Sequence, residues 1–285
     1  MRSPLVSVII PTFDRADFVV EAVDSVLGQT YSRWECIVID DGSTDDTVQR
    51  LQMFEDSRIR VLSRTNRGVS AARNAGIAVS SGDVIALLDS DDYWLPEKLT
   101  RHVAHMLANG HHISQTEEIW YRGGRRVNQK RKHAKPEGVF FRESLKMCLV
   151  SPSCVMFSRE FWNDVGPFDE EMPACEDYDL WLRAWEYPVG LLREALTVKR
   201  GGRPDQLSNA VPCLDIYRMR AIVKMLQSGK IDGEDRRAAL DELRRKAEIY
   251  VQGAEKRGKK HEADRVWNLI CKALEGKEIP LNSLR

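Results

Sequence analysis

Short apolar runs alternate with amphipathic stretches through the first hundred residues of the chain. The runs are rich in Val, Ile and Leu, as in strands that a sheet buries on both faces. They predict strands at 5–10, 36–39, 59–62 and 84–88. Between them, the spacing of apolar residues indicates helices at 18–27, 68–79 and 96–109. Strands separated by helices pair in parallel through right-handed crossovers, so the pattern predicts an α/β fold with a Rossmann-like, mostly parallel sheet flanked by helices.

The rest of the chain is increasingly helical. One more strand-like run lies at 154–157, and an apolar face at helical spacing predicts a helix at 174–183. Beyond residue 212, strong helix formers and charge pairs four residues apart predict helices at 214–227, 234–252 and 262–274. We therefore predict a main domain at 1–212, with halves at 1–95 and 96–212, and an all-helical C-terminal extension at 213–285. The extension is suited to packing, oligomerisation or contact with a partner.

Composition narrows the class of protein. The chain has 285 residues, 42% hydrophobic and 30% charged, which is enough to bury a sizeable core and excludes a disordered chain. Its 43 Lys and Arg balance its 43 Asp and Glu, which argues against a surface that attracts nucleic acid or membranes as a whole. Six scattered cysteines without a CxxC pair are typical of reduced thiols. Because no apolar run approaches the ~18 residues of a membrane span, we expect a cytoplasmic protein.

Carboxylates cluster directly after two of the predicted strands. Asp40 and Asp41 follow the second strand, and Asp89, Asp91 and Asp92 follow the fourth. Ligands of open α/β sheets bind beyond the carboxyl ends of the strands. If the extended geometry of the strand persists, Asp89 and Asp91 leave it on the same face and repel each other unless a cation joins them. Such hard oxygen ligands suit Mg²⁺ or Mn²⁺, which complete their coordination with phosphate oxygens.

Two common phosphate-binding loops are absent from the sequence. It contains no GxxxxGK[ST] segment and no GxGxxG after the first strand. We therefore infer a diphosphate that is held through a metal ion rather than by a glycine-rich loop.

A run of basic residues occupies 122–135, with seven Lys and Arg and no acid. Its two adjacent glycines indicate a hairpin tip or a mobile loop. Two interpretations stay open, a solvated basic loop and a flap that meets anionic phosphate. Binding of nucleic acid is disfavoured because no aromatic residues interleave the charges to stack on bases.

A further acidic group stands in the first turn of the helix predicted at 174–183. It consists of Glu176, Asp177 and Asp179. The helix dipole alone favours acids at this position, so the group by itself is also compatible with a purely structural role.

Five segments, taken in order, resemble the family 2 glycosyltransferases of the GT-A fold. They are VSVIIPTFDR at 6–15, IDDGSTDDT at 39–47, AARNAG at 71–76, GDVIALLDSDDYW at 82–94 and CEDYDLWLR at 175–183. The resemblance covers roughly residues 5–210. It implies an inverting enzyme that moves a sugar from a nucleoside-diphosphate sugar, with a UDP-sugar favoured, to an acceptor hydroxyl. The implied acceptor is a glycan, a lipid-linked intermediate or a protein, in surface polysaccharide or glycan synthesis.

The resemblance places the nucleotide at the ends of the first strands. Pro11 and Thr12 line its site, and Asp41 accepts a hydrogen bond from the base, as a carboxylate can from an N–H of uracil or guanine. Arg73 and Asn74 are implied to lie near the ribose and the phosphates.

The resemblance also implies a metal site and a general base. Asp89 contacts the ribose or metal-bound water, Asp91 ligates Mg²⁺ or Mn²⁺, and Asp92 assists. Asp177 is the implied base, which takes the proton of the acceptor hydroxyl on the face opposite the leaving group. Because the metal neutralises the leaving diphosphate, no second carboxyl has to protonate it, as one does in a glycosidase.

One position departs from the pattern of the family. Members of this fold often bring a histidine from a late segment to the metal, and in the segment 201–208 Arg203 stands in that place. Two expectations stay open: Asp205 coordinates the metal instead, or Arg203 clamps the diphosphate directly.

Two alternatives compete with sugar transfer. The first is a catalytically impaired protein of the same fold that binds nucleotide sugars, which the Arg203 departure motivates. The second is a sugar nucleotidyltransferase, ranked lower because residues 11–16 contain no glycine. A lipid-linked acceptor would bring the protein to the inner face of a membrane as a peripheral protein, with 122–135 as the candidate contact.

Overall fold

The first half of the molecule is a parallel sheet. A computed structural model describes residues 3–203, 206, 211 and 213–284. The first strands are β1 (Val6–Thr12), β2 (Trp34–Asp40), β3 (Ile59–Ser63) and β4 (Val84–Leu87). The helices between them are α1 (Ala16–Leu27), α2 (Thr47–Leu51) and α3 (Val69–Ala78). These strands pair in parallel in the order β3-β2-β1-β4, so the predicted parallel crossovers are confirmed.

In the second half the sheet becomes mixed. Its strands are β5 (Tyr93–Trp94), β6 (Ile113–Arg122), β7 (Arg125–Val127), β8 (Val155–Ser158) and β9 (Val189–Gly201). The helices are α4 (Lys98–Asn109), α5 (Phe141–Ser144), α6 (Arg159–Val165) and α7 (Glu176–Arg183). The sheet continues from β4 through β8, β6 and β9 to β5, with β7 paired to β6. Only β6 and β9 of this half pair in parallel, and helices flank the sheet as predicted.

Close packing of α3 against the sheet depends on one glycine. Strands β1 and β2 are buried on both faces, by α1 on one side and α3 on the other. A Cβ atom at Gly76 would lie 2.6 Å from Cγ2 of Ile9, a distance that side chains do not tolerate. The glycine of the AARNAG segment therefore lets α3 approach the sheet and brings Arg73, one turn earlier, to the strand ends.

The basic run forms a hairpin. Strands β6 and β7 pair antiparallel around the turn at Gly123 and Gly124, which confirms the hairpin tip. The interpretation of 122–135 as one exposed basic run was wrong at Lys135. This lysine is buried and forms an ion pair with Glu118 at 3.1 Å. Although burial alone would raise the pKa of Glu118, Lys135 and the nearby Lys199 lower it to about 2.

The C-terminal helices brace the helix that carries the acidic group. They are α8 (Asp215–Gln227), α9 (Gly233–Lys256) and α10 (Lys260–Leu274), which confirms the three predicted helices. They share one apolar core with α7 through Tyr178 and Leu182. Nζ of Lys224 in α8 donates to Asp169 at 3.0 Å and to Asp179 of α7 at 3.2 Å. The tail therefore holds α7 in place through both apolar and charged contacts.

The domain boundary at 212 and 213 stays a prediction, because residue 212 lies outside the described residues. Oligomerisation through the tail helices also stays a prediction. Within the described part of the chain, no helix is both long enough and apolar enough to cross a membrane.

One lysine in the first turn of α4 is buried without a hydrogen-bond partner among the described residues. Lys98 is fully buried, and its Nζ lies 4.4 Å from the ring centroid of Trp94. Burial lowers its pKa to about 7, with Cys154 opposing this shift and Lys135 adding to it. Because the unfolded side chain has a pKa of about 10.4, the unfolded state binds a proton between these values that the folded state does not. The destabilising contribution of Lys98 therefore decreases as the pH rises from about 7 to about 10.

We expect Lys98→Met to stabilise the protein by about 2 kcal/mol at pH 7, because methionine fills the same space without a buried ammonium group. The gain should shrink towards pH 10, because the unfolded lysine then begins to lose its proton as well. Urea unfolding at pH 7, 8, 9 and 10 measures this difference. Lys256→Met, at an exposed position of α9, is the matched control. Parallel stability curves for wild type and Lys98→Met would contradict the prediction.

Candidate active site

The carboxyl ends of β1, β2 and β4 form the floor of the site. Pro11 and Thr12 close β1, and the backbone carbonyl of Thr12 accepts the N–H of Asp41 at 2.8 Å. The hydroxyl of Thr12 is buried and has no hydrogen-bond partner among the described residues. Such a group favours a ligand that supplies the missing bond. Phe13, which the sequence analysis did not single out, follows at the rim with 44% of its surface exposed.

Asp41 is anchored at the start of α3. Its carboxylate accepts the backbone N–H groups of Arg67 at 3.0 Å and Gly68 at 2.7 Å, and Nε of Arg64 lies 3.1 Å away. These contacts fix the direction of the carboxylate between β2 and α3. Its contact with a nucleobase stays a prediction.

Arg73 joins the two acidic parts of the site. Its guanidinium donates to Asp89 at 2.7 Å and to Glu176 at 2.5 Å, and the whole side chain is buried. Burial alone would lower the pKa of Arg73, but these two carboxylates raise it well above its ordinary value. For Glu176, burial raises the pKa despite the attraction of Arg73. Arg73 thereby fixes the start of α7 relative to the end of β4.

The side chain of Asn74 is hydrogen-bonded to the loop that precedes α7. Its Nδ2 donates to the carbonyl of Phe168 at 2.9 Å, and its Oδ1 accepts the N–H of the same residue at 3.0 Å. Both amide atoms therefore hold the segment that leads into α7. Contact of Asn74 with a ribose or phosphate stays a prediction.

The three carboxylates after β4 converge. One oxygen from each of Asp89, Asp91 and Asp92 lies within 4.8 Å of the other two. The premise of an extended chain was wrong, because β4 ends at Leu87 and the N–H of Asp92 donates to the carbonyl of Asp89 at 3.0 Å in a turn. Three hard oxygen donors at this spacing fit Mg²⁺ or Mn²⁺ by their chemistry.

Each carboxylate of this group also has a cationic neighbour. Asp89 pairs with Arg73, Asp91 with Arg203, and Asp92 lies 3.8 Å from Nζ of Lys199. Burial raises the pKa of Asp92 to about 7 despite Lys199, and the two neighbouring carboxylates add to this shift. Burial also acts to raise the pKa of Asp89. Arg73 and Lys199 outweigh this effect, so the pKa of Asp89 is lowered. Asp205, the other suggested ligand, lies outside the described residues.

Ser153 shapes this turn and was missed by sequence reasoning. Its hydroxyl donates to Asp92 at 2.7 Å and accepts the N–H of Asp89 at 3.1 Å. Its carbonyl accepts Nε1 of Trp94 at 2.7 Å and the hydroxyl of Thr197 at 3.1 Å. One buried serine therefore connects the carboxylate turn with β5 and β9, and no motif signal in its surroundings indicated this role.

Asp177 stands in the first turn of α7 and is half-buried. Its Oδ1 accepts the N–H of Tyr178 at 2.7 Å, and its Oδ2 accepts the thiol of Cys148 at 3.3 Å. Burial and the adjacent Asp177 raise the pKa of Cys148 well above its ordinary value, which keeps the thiol protonated as a donor. Cys175, just before the helix, has a φ of 61°, in the region that favours glycine. Strained backbone of this kind is typical of functional sites.

The fold and the site define a class. The sheet is of the open α/β kind, whose ligands bind beyond the carboxyl ends of the strands, and the carboxylates clustered there suit a divalent cation. The family model described as "Glycosyl transferase family 2" matches residues 7–166. The chain belongs to this family and is a glycosyltransferase.

Individual comparisons agree with this assignment. The Escherichia coli protein "UDP-Glc:alpha-D-GlcNAc-diphosphoundecaprenol beta-1,3-glucosyltransferase WfgD" is 35% identical over 186 residues, which cover 64% of this chain and 70% of that protein. The chain spans only about a third of the length of several glycosyltransferases from Rickettsia that it matches at 28–34% identity.

Solved structures share the fold. The S. aureus TarS fragment 1–349 with UDP-GlcNAc superposes with a TM-score of 0.77 at 22% identity, covering 95% of this chain and 81% of that chain. The mannosyltransferase PcManGT from Pyrobaculum calidifontis, with GDP-Man and Mn²⁺, has a TM-score of 0.61 at 18% identity, covering 90% and 76%. With the family membership, this likeness confirms the predicted GT-A fold.

Proposed function

We propose that the protein transfers a sugar, with inversion, from a nucleoside-diphosphate sugar to an acceptor hydroxyl, assisted by Mg²⁺ or Mn²⁺. The observation that carries the proposal is the buried bridge of Arg73, which holds the carboxylate turn at Asp89 next to the helix start at Glu176. Donor and acceptor chemistry require these two parts to face each other, one holding the diphosphate and the other removing a proton.

Asp177 serves as the general base in this proposal. A half-buried carboxylate at the helix start is placed to take the proton of the acceptor hydroxyl while its oxygen attacks the anomeric carbon. The bond from this carbon to the diphosphate breaks as the new glycosidic bond forms on the opposite face, so the configuration inverts. The hydrogen bonds from Cys148 and the N–H of Tyr178 hold the carboxylate in one orientation.

The nucleotide occupies the ends of β1 and β2. Pro11 and Thr12 line its pocket, and the unsatisfied hydroxyl of Thr12 bonds to it. The exposed ring of Phe13 offers an apolar face for the base. Asp41 accepts a hydrogen bond from the base. Arg73 and Asn74 flank the ribose and the phosphates, and Asn74 does so chiefly by holding the loop at Phe168.

Asp91, with Asp89 and Asp92, holds the metal. When bound, the metal offsets the negative charge that develops on the leaving diphosphate. Arg203, whose guanidinium contacts Asp91, lies at the same edge and clamps the diphosphate as a bidentate donor. A Mn²⁺-bound fold neighbour and the chemistry of three hard carboxylates support this assignment.

The donor is a UDP-sugar, and the acceptor belongs to polysaccharide or glycan synthesis. Two comparisons support this choice: the name of the E. coli relative specifies UDP-Glc and a lipid diphosphate acceptor, and the TarS fragment is described with UDP-GlcNAc. A lipid-linked acceptor would be reached by a protein that associates peripherally with a membrane. No helix of the described residues could span that membrane.

A panel of UDP-, GDP- and dTDP-sugars, with Mn²⁺ or with EDTA, tests the proposal. We expect one donor class to raise the melting temperature by about 5 °C or more at a hundredfold excess over its Kd, and only with metal. The same donor should release free nucleoside diphosphate. If no donor shifts the melting temperature and none releases nucleoside diphosphate, the proposal is wrong.

The second candidate is a nucleotide-sugar-binding protein without turnover, which the contact of Arg203 with Asp91 favours because it competes with a metal ion. Binding of a donor without release of nucleoside diphosphate, across glycan and lipid-linked acceptors, would establish it. Release of pyrophosphate from a nucleoside triphosphate and a sugar phosphate would instead establish a nucleotidyltransferase.

A further inference from the structure

A group of exposed cations lies on the hairpin of β6 and β7 and on the segment that follows it. The group, called the hairpin cations below, consists of Arg122, Arg125, Arg126, Lys130, Arg131 and Lys132. Among the described residues, none of the six forms an ion pair. Several surface arginines elsewhere do form ion pairs, for example Arg58 with Asp56 at 2.7 Å and Arg101 with Glu194 at 3.0 Å. In a chain of zero net charge, the hairpin therefore carries a local excess of positive charge.

The base of the hairpin is held firmly. Glu118 anchors both of its sides, because its carboxylate accepts Nε1 of Trp120 at 2.6 Å and pairs with the buried Lys135, while its carbonyl accepts Nε2 of Gln129 at 3.0 Å. The ring of Trp120 contacts that of His133, with centroids 5.0 Å apart and the ring planes inclined at 58°. The hairpin cations are therefore presented on a fixed support.

The hairpin lies beside the candidate active site. Arg122 pairs in register with Gly201 of β9, two residues before Arg203, which contacts Asp91. A partner bound to the hairpin cations would therefore sit next to the cleft, on the side where the chain leaves β9.

The arrangement and exposure of the hairpin cations indicate the kind of partner. All six side chains are exposed, three of them on β6 and β7 and three on the segment that follows β7. None of them is buried in a pocket that could enclose a single phosphate group. Attraction to an extended anionic surface, in contrast, sums over every cation near it. The ring of Trp120 already contacts His133, so this tryptophan is not a free surface for stacking of a nucleic-acid base.

We propose that the hairpin cations dock the protein on an anionic phospholipid surface, next to the candidate active site. This proposal is independent of the sugar-transfer activity, since it rests on the charge and exposure of the hairpin. The hairpin does not enter the bilayer core, because its tip is made of glycine and arginine.

Co-sedimentation of the full chain with vesicles tests the docking. We expect binding to vesicles of 70% phosphatidylcholine and 30% phosphatidylglycerol in 50 mM NaCl, loss of binding in 500 mM NaCl, and none to pure phosphatidylcholine. A cation near such a surface contributes about fivefold, so the triple variant Arg125→Gln, Arg126→Gln, Lys132→Gln should bind roughly a hundredfold more weakly.

The matched control removes the same number of positive charges from the C-terminal extension. Arg237→Gln, Arg244→Gln, Lys256→Gln changes three exposed residues of α9 and should keep vesicle binding within about threefold of wild type. Melting temperatures of both triple variants verify folding. Equal loss in the two variants, binding to neutral vesicles, or no binding by the wild type would overturn the proposal. Tighter binding of an oligonucleotide than of vesicles at the same salt would reassign the surface to nucleic acid. The donor panel is unaffected by each of these outcomes.

Discussion

Asp177→Asn should lower kcat about a hundredfold to ten-thousandfold while leaving donor binding almost unchanged. A general base contributes typically about 10²–10⁴ in rate, and the amide of asparagine accepts no proton at neutral pH. The amide keeps the shape of the carboxylate and can still accept the N–H of Tyr178. The measurement combines release of nucleoside diphosphate in the presence of acceptor with the thermal shift that the donor produces.

A matched control separates the base from general charge effects. Glu186→Gln removes an exposed carboxylate just beyond α7 and should keep wild-type kcat. The assignment of Asp177 as base would be refuted by an asparagine variant that transfers sugar at the wild-type rate. A variant that loses donor binding together with turnover would indicate a role in holding the site instead.

Asp91→Asn should reduce turnover at least about a hundredfold and remove the response to Mn²⁺. The amide is a weaker ligand for a hard cation, and the substitution removes the charge with which Asp91 pairs to Arg203. Addition of EDTA to the wild type should have a similar effect, which excess Mn²⁺ reverses. Glu55→Gln, at an exposed position after α2, is the control.

Arg203 provides the decisive comparison for the metal site. With a metal in place, Arg203→Met should raise the KM for the donor and leave turnover dependent on Mn²⁺. If the wild type instead turns over fully in EDTA and Arg203→Met is inactive, the guanidinium supplies the positive charge by itself. The metal proposal would then be wrong.

The strands of the parallel half were predictable because their signal is local. A strand buried on both faces needs a continuous apolar run, and β1, β2 and β4 have one. The mixed pairing of the second half was not predictable, because strand direction there depends on which distant strand lies alongside. The pairing of β6 with both β8 and β9 is set by packing across more than forty residues of chain.

Some features of the candidate site could likewise be predicted from the sequence, and others could not. The carboxylates after β4 stand out in the sequence, but the reason for their convergence was wrong, since a turn fixed by Ser153 brings them together rather than strand alternation. The contact of Cys148 with Asp177 joins residues 29 positions apart and has no signal in the spacing of either motif. Lys135 belonged to a basic run by sequence, and only the structure shows that Glu118 neutralises it.

By itself, the sequence determined the order of strands and helices, the acidic strand ends and the acidic start of α7, because periodicity and strand ends are encoded by neighbouring residues. Only the tertiary structure decided which charges meet. Arg73 and Glu176 are 103 positions apart, and their pairing depends on the approach of α3 to the sheet at Gly76 and on the tail that braces α7. A buried charge is stable only when packing brings a partner to it, and no local pattern records where that partner comes from.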